Sequence, residues 1–231
     1  SGYEEAAGQG LMAGANAALK VQGKPSFTLQ RSESYLAVMI DDLVTKDTTE
    51  PYRLFTSRAE YRLLLRQDNC DLRLTPKADQ AGLIDPVRRT HTVEKSRQLA
   101  AAVQLAHTTS LEGVRLEKWI RRPENDSTKL PSDLRQQFSE EIWSLLENDL
   151  KYEGYIQRQE AVVEKTQRME DKLLPAWLDY TAVPGLKKEA QMRLQQIRPT
   201  TLGQAARVQG VTPADIALLA IVMKKNGAGE K

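Results

Sequence analysis

Arg58, Arg62 and Arg66 recur at i, i+4 and i+8 inside EPYRLFTSRAEYRLLLRQDNCDLRLT (50–75). On an α-helix that spacing draws one cationic stripe. Together with Arg53 it would present planar guanidinium forks that match phosphate oxygens two at a time, so its chemistry would be grip on a nucleic-acid backbone. Tyr52, Phe55 and Tyr61 interleave with the arginines and offer rings on which an unpaired base could stack. The competing reading is internal: Glu50, Glu60, Asp68 and Asp71 would pair the arginines off. A second cluster lies in KYEGYIQRQ (151–159), where Tyr152 and Tyr155 stand i, i+3 and Arg158 follows three further on. With Lys151 they would give an aromatic and cationic helix face suited to RNA or to a protein. The plain alternative is a tyrosine pair covering a bundle with its hydroxyls in water.

Other chemistry is thinly provided. One cysteine, Cys70, excludes an internal disulfide and an all-cysteine metal cage, and two histidines make a zinc site improbable, so no metal is expected. Cys70 itself is expected to be a small buried apolar residue. No GxGxxG follows a strand, and no nucleophile or acid–base pair makes a credible active site, so no catalytic residue is assigned. The net charge of +2 announces no global polycation; any basic surface must be local. With 40% apolar and 28% charged residues, no bilayer-length apolar run and no signal peptide, the expected setting is cytoplasmic.

The elements that must position these residues read as mainly α-helical. Residues 1–23 predict a helix stopped by Gly23 and Pro25, and 31–47 a second with Leu36, Met39, Ile40 and Leu43 at helical spacing. Gly8, Gly10 and Gly14 are costly in the first helix and call for close approach to something. The alternatives are tight helix packing and a helix N-terminus aimed at an anionic or electron-rich cofactor edge. Ser57 with Glu60 predicts a capping box for the arginine helix. Leu72 and Leu74 suggest a short strand or extended link, while Thr75-Pro76 and Asp85-Pro86 each predict a helix start. Residues 120–133 read as a linker or bend, and a long helix from Ser139 to about Leu174 is interrupted at Gly154. Three short helices close the chain, the last begun by Thr212-Pro213, with Ala205, Ala206, Val208, Ile216, Leu218, Leu219 and Val222 as core. No internal repeat is evident, and the tail NGAGEK is expected to be disordered.

GYEEAAGQGLMAGANAA (2–18), the arginine block and KYEGYIQRQ closely resemble signature blocks of the MnmG (GidA) family, the tRNA uridine 5-carboxymethylaminomethyl modification enzymes. Ala15 departs from the larger apolar residue or threonine usual there. LPAWLDY, VPGL and TLGQAARVQGVTPADIALLAIVMKK fit the family's C-terminal helical domain. The resemblance spans nearly the whole chain, with little signal around 105–138. It implies a C-terminal piece: residues 1–80 closing an FAD-binding α/β domain, 81–231 a helical domain, and 178–231 a terminal three-helix docking module. It implies FAD and NADH sites mostly in upstream sequence, with Gly2, Tyr3, Glu4, Glu5 and Ala6 as a helix N-terminus near FAD and no cofactor held by this piece alone. It implies catalytic cysteines upstream and a homodimeric full-length enzyme. That enzyme would work with the GTPase MnmE on C5 of the wobble uridine of tRNA, drawing its methylene from methylenetetrahydrofolate and its nitrogen from glycine or ammonia. On this reading Arg53, Arg58, Arg62, Arg66, Lys151, Tyr152, Tyr155 and Arg158 touch tRNA, while Leu202, Arg207, Ile216, Leu219 and Lys224 dock MnmE. Two other readings stay open: a protein-interaction module with no RNA contact, and a DNA-binding protein using 201–219 as a helix-turn-helix.

Overall fold

A computed structural model describes residues 2–46 and 51–227; Glu50 and the tail beyond 227 lie outside the described residues. The class is mainly α, as expected. The helices are α1 (Tyr3–Val21), α2 (Tyr35–Thr45), α3 (Cys70–Gln80), α4 (Pro86–Thr108), α5 (Leu116–Ile120), α6 (Ser132–Arg135), α7 (Glu140–Glu170), α8 (Lys188–Ile197), α9 (Leu202–Arg207) and α10 (Pro213–Gly227). One antiparallel ribbon pairs β1 (Ser110–Leu111) with β2 (Val114–Arg115). No described helix is long and apolar enough to cross a membrane. The chain forms two compact units from interleaved stretches: Ser1–Leu11, Tyr35–Glu60 and Glu160–Lys231 in one, Met12–Ser34 and Tyr61–Gln159 in the other.

In the unit containing α4, Asp85 caps the helix by accepting from the Arg88 amide at 2.9 Å, with Pro86 in the first turn, as the sequence predicts. The core joins Ala102 and Ala106 of α4, Trp119 and Ile120 of α5, and Ile142, Trp143 and Leu146 of α7. The ribbon turns through Glu112 (φ 52°) and Gly113 (φ 80°), the positive pair that a two-residue hairpin needs. Glu112 is tied there by accepting from the Trp119 indole N–H at 3.0 Å.

Several expectations for residues 56–159 are corrected. No helix runs through 58–66; a short 3-10 turn at Thr56–Arg58 is followed by turns, and Tyr61 takes a left-handed backbone (φ 50°) that a helix forbids. The Ser57–Glu60 capping box therefore has no helix to cap, and the arginines form no helical stripe. Leu72 and Leu74 lie in α3 rather than in a strand. Pro76 is inside that helix, not at its start; it is exposed and simply omits one intrahelical bond. Cys70 is exposed, not buried. Residues 120–133 are a packed bend rather than a flexible linker: Asn125 donates to the Trp119 carbonyl (2.9 Å), Ser127 N–H to Glu147 (3.1 Å), and Leu130 is buried. Helix α7 passes through Gly154 unbroken.

The other unit packs α8, α9 and α10 around Leu178, Tyr180, Leu186, Leu194, Ala205 and Leu219, with α2 against α9. Ala206, expected in that core, is exposed. Of the costly glycines in α1, only Gly8 meets a neighbour: a Cβ there would lie 2.7 Å from Leu36 Cδ1, while Gly10 and Gly14 face open space. Arg207 grips Asp41 at 2.6 and 2.9 Å and also holds Glu170, joining α9 to α2 and α7. Burial works against that guanidinium's charge, but the two carboxylates outweigh it and push its pKa up. Thr212 and Asp215 cap α10 reciprocally, as Thr212-Pro213 predicts, and the fully buried Asp215 also accepts from Lys187 N–H.

A repeat absent from the sequence reading emerges in this unit. Val183, Gly185 and Leu186 precede α8 as Val208, Gly210 and Val211 precede α10. In both turns the glycine has positive φ (81° and 88°), and the residue after it donates to the valine carbonyl, at 3.3 and 3.1 Å. Both valines are buried, as are Leu194 and Leu219 at equivalent places in the following helices.

Candidate nucleic-acid interface

The arginine block is sorted by what each guanidinium meets. Arg66 is largely enclosed, with 14% of its side chain exposed. Its Nε donates to Asp68 (2.9 Å), one NH to Asp149 on α7 (2.6 Å) and the other to the Leu63 carbonyl (2.9 Å). Burial alone would lower its pKa, but the bonds to Asp149 and Asp68 prevail and raise it. Asp68 also accepts from Asn148 (2.9 Å), and nearby Lys95, almost fully buried, reaches Asp71 (2.9 Å), Glu141 (2.7 Å) and the Asp68 carbonyl (3.0 Å). Arg73 closes the same knot, donating to Asn69 and to the Glu33 and Arg66 carbonyls. This network fastens the 66–73 segment to α4 and α7, so Arg66 serves the fold.

Arg53 and Arg58 are arranged differently. Arg53 approaches Glu5 at 3.3 Å and keeps 58% of its side chain exposed. Arg58 lies 3.5 Å from the fully buried Asp42 and 5.0 Å from the Tyr52 ring centroid, with 39% of its side chain exposed. Tyr52, expected among the stacking rings, is buried and donates its hydroxyl to Asp42 at 3.0 Å. Burial and that bond push its pKa up to about 12. Phe55 remains exposed.

In the α4-containing unit, Arg62 is exposed and pairs with no carboxylate among the described residues. The next residue, Leu63, donates its N–H to Gln159 of α7 at 3.3 Å, so Arg62 is carried beside the Tyr155–Arg158 turn of that helix. Tyr152 and Tyr155 are 44% and 57% exposed, and the Arg158 guanidinium lies 4.7 Å from the Tyr155 ring centroid. Lys151 turns inward to Glu147 and the Asn125 carbonyl, both at 2.7 Å. Arg62, Tyr152, Tyr155 and Arg158 are all exposed in this unit, and Tyr155 and Arg158 share one helix face.

Residues 84–160 and 162–231 match the descriptions "tRNA modifying enzyme MnmG/GidA C-terminal helical domain" and "C-terminal helical bundle", and residues 1–25 match "Glucose inhibited division protein A". The chain belongs to the MnmG/GidA family. It is 50% identical to the tRNA uridine 5-carboxymethylaminomethyl modification enzyme MnmG of Protochlamydia amoebophila, over 97% of this chain and 37% of that protein. The MnmG of Lachnoclostridium phytofermentans is 46% identical over 97% of this chain and 39% of that protein, and the Streptococcus pyogenes MnmG 44% over 100% and 40%. Aquifex aeolicus GidA, in its form II crystal, superposes with a TM-score of 0.80 at 38% identity, covering 96% of this chain and 38% of that one. The chain therefore spans about two fifths of the length of the relatives it matches.

Of the residues that the MnmG/GidA resemblance assigns to docking, Leu202 and Leu219 are buried and Arg207 is held by two carboxylates; Ile216 is half-buried and Lys224 exposed. Sequence reasoning also missed the acids that sort the arginines. Glu5, Asp42 and Asp149 lie outside the block they serve, and only the buried position of Asp42 on α2 hints at its role.

Proposed function

We propose that the chain is the C-terminal part of an FAD- and NADH-dependent enzyme that, with the GTPase MnmE, modifies C5 of the wobble uridine of tRNA. It acts as a cytoplasmic homodimer in which this part contributes tRNA binding and MnmE docking. The supporting observation is that 97–100% of the chain is 44–50% identical to proteins named for that modification. Its share in RNA binding is supported by the open Tyr155–Arg158 pair and the exposed Arg62, cations and a ring suited to phosphates and unpaired bases.

The start of α1 fits one edge of a flavin better than another. Glu5 folds back over Gly2, where a Cβ would collide with Glu5 Oε2, and that buried oxygen has no hydrogen-bond partner among the described residues. A diphosphate would meet this carboxylate as a like charge; a ring N–H would satisfy it. Gly2, Tyr3, Glu4, Glu5 and Ala6 would thus receive the ring edge, and reduced FAD, when bound, supplies electrons for the redox step.

Binding of unmodified tRNA by the full-length protein across a salt series tests the RNA role. Arg62→Ala/Arg158→Ala should weaken binding and make the log–log salt slope shallower by about two, one per lost phosphate contact. Curves identical to the parent protein would overturn it. A purely protein-binding role is favoured by the exposed Leu173 and Trp177 of the terminal unit, at 71% and 64%. Trp177→Ala should then lower MnmE capture without altering tRNA binding.

A further inference from the structure

Arg53, Phe55 and Arg58 leave one tight turn. Phe55 N–H donates to the Arg53 carbonyl at 3.1 Å, and Arg58 N–H to the Phe55 carbonyl at 2.9 Å. The turn is tied down at both ends from inside the unit. Glu5 accepts from Leu54 N–H at 3.2 Å and approaches Arg53, while Asp42 holds Tyr52 at 3.0 Å and Arg58 at 3.5 Å. The anchoring acids are interior, with side chains 11% and 0% exposed. What they present is not: Phe55 is 61% exposed, and the arginines that precede and follow it in the turn each retain open surface.

A single exposed apolar residue needs no explanation. This one stands on a turn whose flanking cations are oriented by buried carboxylates, so its position is fixed before any ligand arrives. An exposed ring whose neighbours along the turn carry forked donors suits an unpaired base with a phosphate on either side, since every base has a π-face and each phosphate accepts a forked donor. Tyr52 cannot serve as the stacking ring, being buried beneath Arg58.

We propose that Arg53, Phe55 and Arg58 form a subsite for one unpaired RNA nucleotide, with Phe55 stacking on the base and the two arginines holding the flanking phosphates. This rests on the tRNA-binding reading above and adds to it a place where a base leaves its stack.

The test uses the full-length protein, unmodified tRNA, and a fully paired RNA duplex as control. Phe55→Ala should weaken tRNA binding about tenfold with no change in salt slope, because stacking releases no counterions. Phe55→Trp should bind as the parent does, Phe55→Leu should stay weak, and duplex binding should be unmoved by all three. Arg53→Ala and Arg58→Ala should each make the tRNA slope shallower by about one. Phe55 is exposed, so its variants should keep the parental unfolding midpoint, which shows that a binding loss is not misfolding. Parental binding by Phe55→Ala, or full rescue by Phe55→Leu, overturns the subsite. If that happens while Arg62→Ala/Arg158→Ala still lowers the slope, the subsite falls and the tRNA reading stands; if no variant changes binding, both fall.

Discussion

Arg66 and Arg58 come from one run of sequence and each meets an aspartate, yet only one keeps an open face. Arg66 finds two carboxylates and a carbonyl and is 14% exposed; Arg58 finds one buried carboxylate and the face of a tyrosine and is 39% exposed. A guanidinium has five N–H donors. Once partners converge on most of them it becomes a cross-link, and while some stay open it becomes an oriented probe. The difference lies in how many acceptors the fold brings to each residue.

Breaking the cross-linked side should cost most. Lys95→Ala leaves Asp71 and Glu141 without their shared cation and should lower unfolding free energy by about 3 kcal/mol, read by urea denaturation, while leaving the tRNA salt slope unchanged. Tyr52→Phe removes one buried hydrogen bond on the presenting side and should cost about 1 kcal/mol.

Tyr52→Phe also has a pH signature. The folded-state pKa is raised from 10.0 to about 12, so the folded protein holds the phenol proton more tightly. The stabilisation is complete below the unfolded value and is lost as pH rises through the folded one. Between about pH 10 and 12 the parent should lose stability more steeply than the variant. Asp215 works in the opposite direction. Burial would raise its pKa, but the bonds from Thr212 and Lys187 lower it below its ordinary 3.8. Its contribution is therefore present above that value and is lost as pH falls through the folded pKa, and Asp215→Asn should flatten the acid limb of an unfolding curve. The smallest effect should come from Arg62→Ala: a midpoint shift within about 0.5 kcal/mol, seen beside a measurable loss of tRNA binding.

Local chemistry was legible in the sequence where cause and effect are neighbours. Asp85-Pro86 and Thr212-Pro213 start helices because a cap acts on amides within the next turn. The arginine block was misread because i, i+4 spacing speaks only if the backbone is helical, and Tyr61 turns it the other way. The partner that decides Arg66 is 83 residues distant, beyond any local pattern. Leu72 and Leu74 alternate with charges as a strand would, yet α3 packs on α4 and the tertiary contact prevails. The open face at Tyr155 and Arg158 was readable because both residues share one helix.

The paired turns before α8 and α10 bear on how this unit diversifies. Two copies of one backbone solution need not carry the same surface. The first copy now carries Lys187 and Lys188 outward, and the second turns Asp215 inward to hold the first in place. The same turn thus serves as a support in one copy and as a platform for cations in the other.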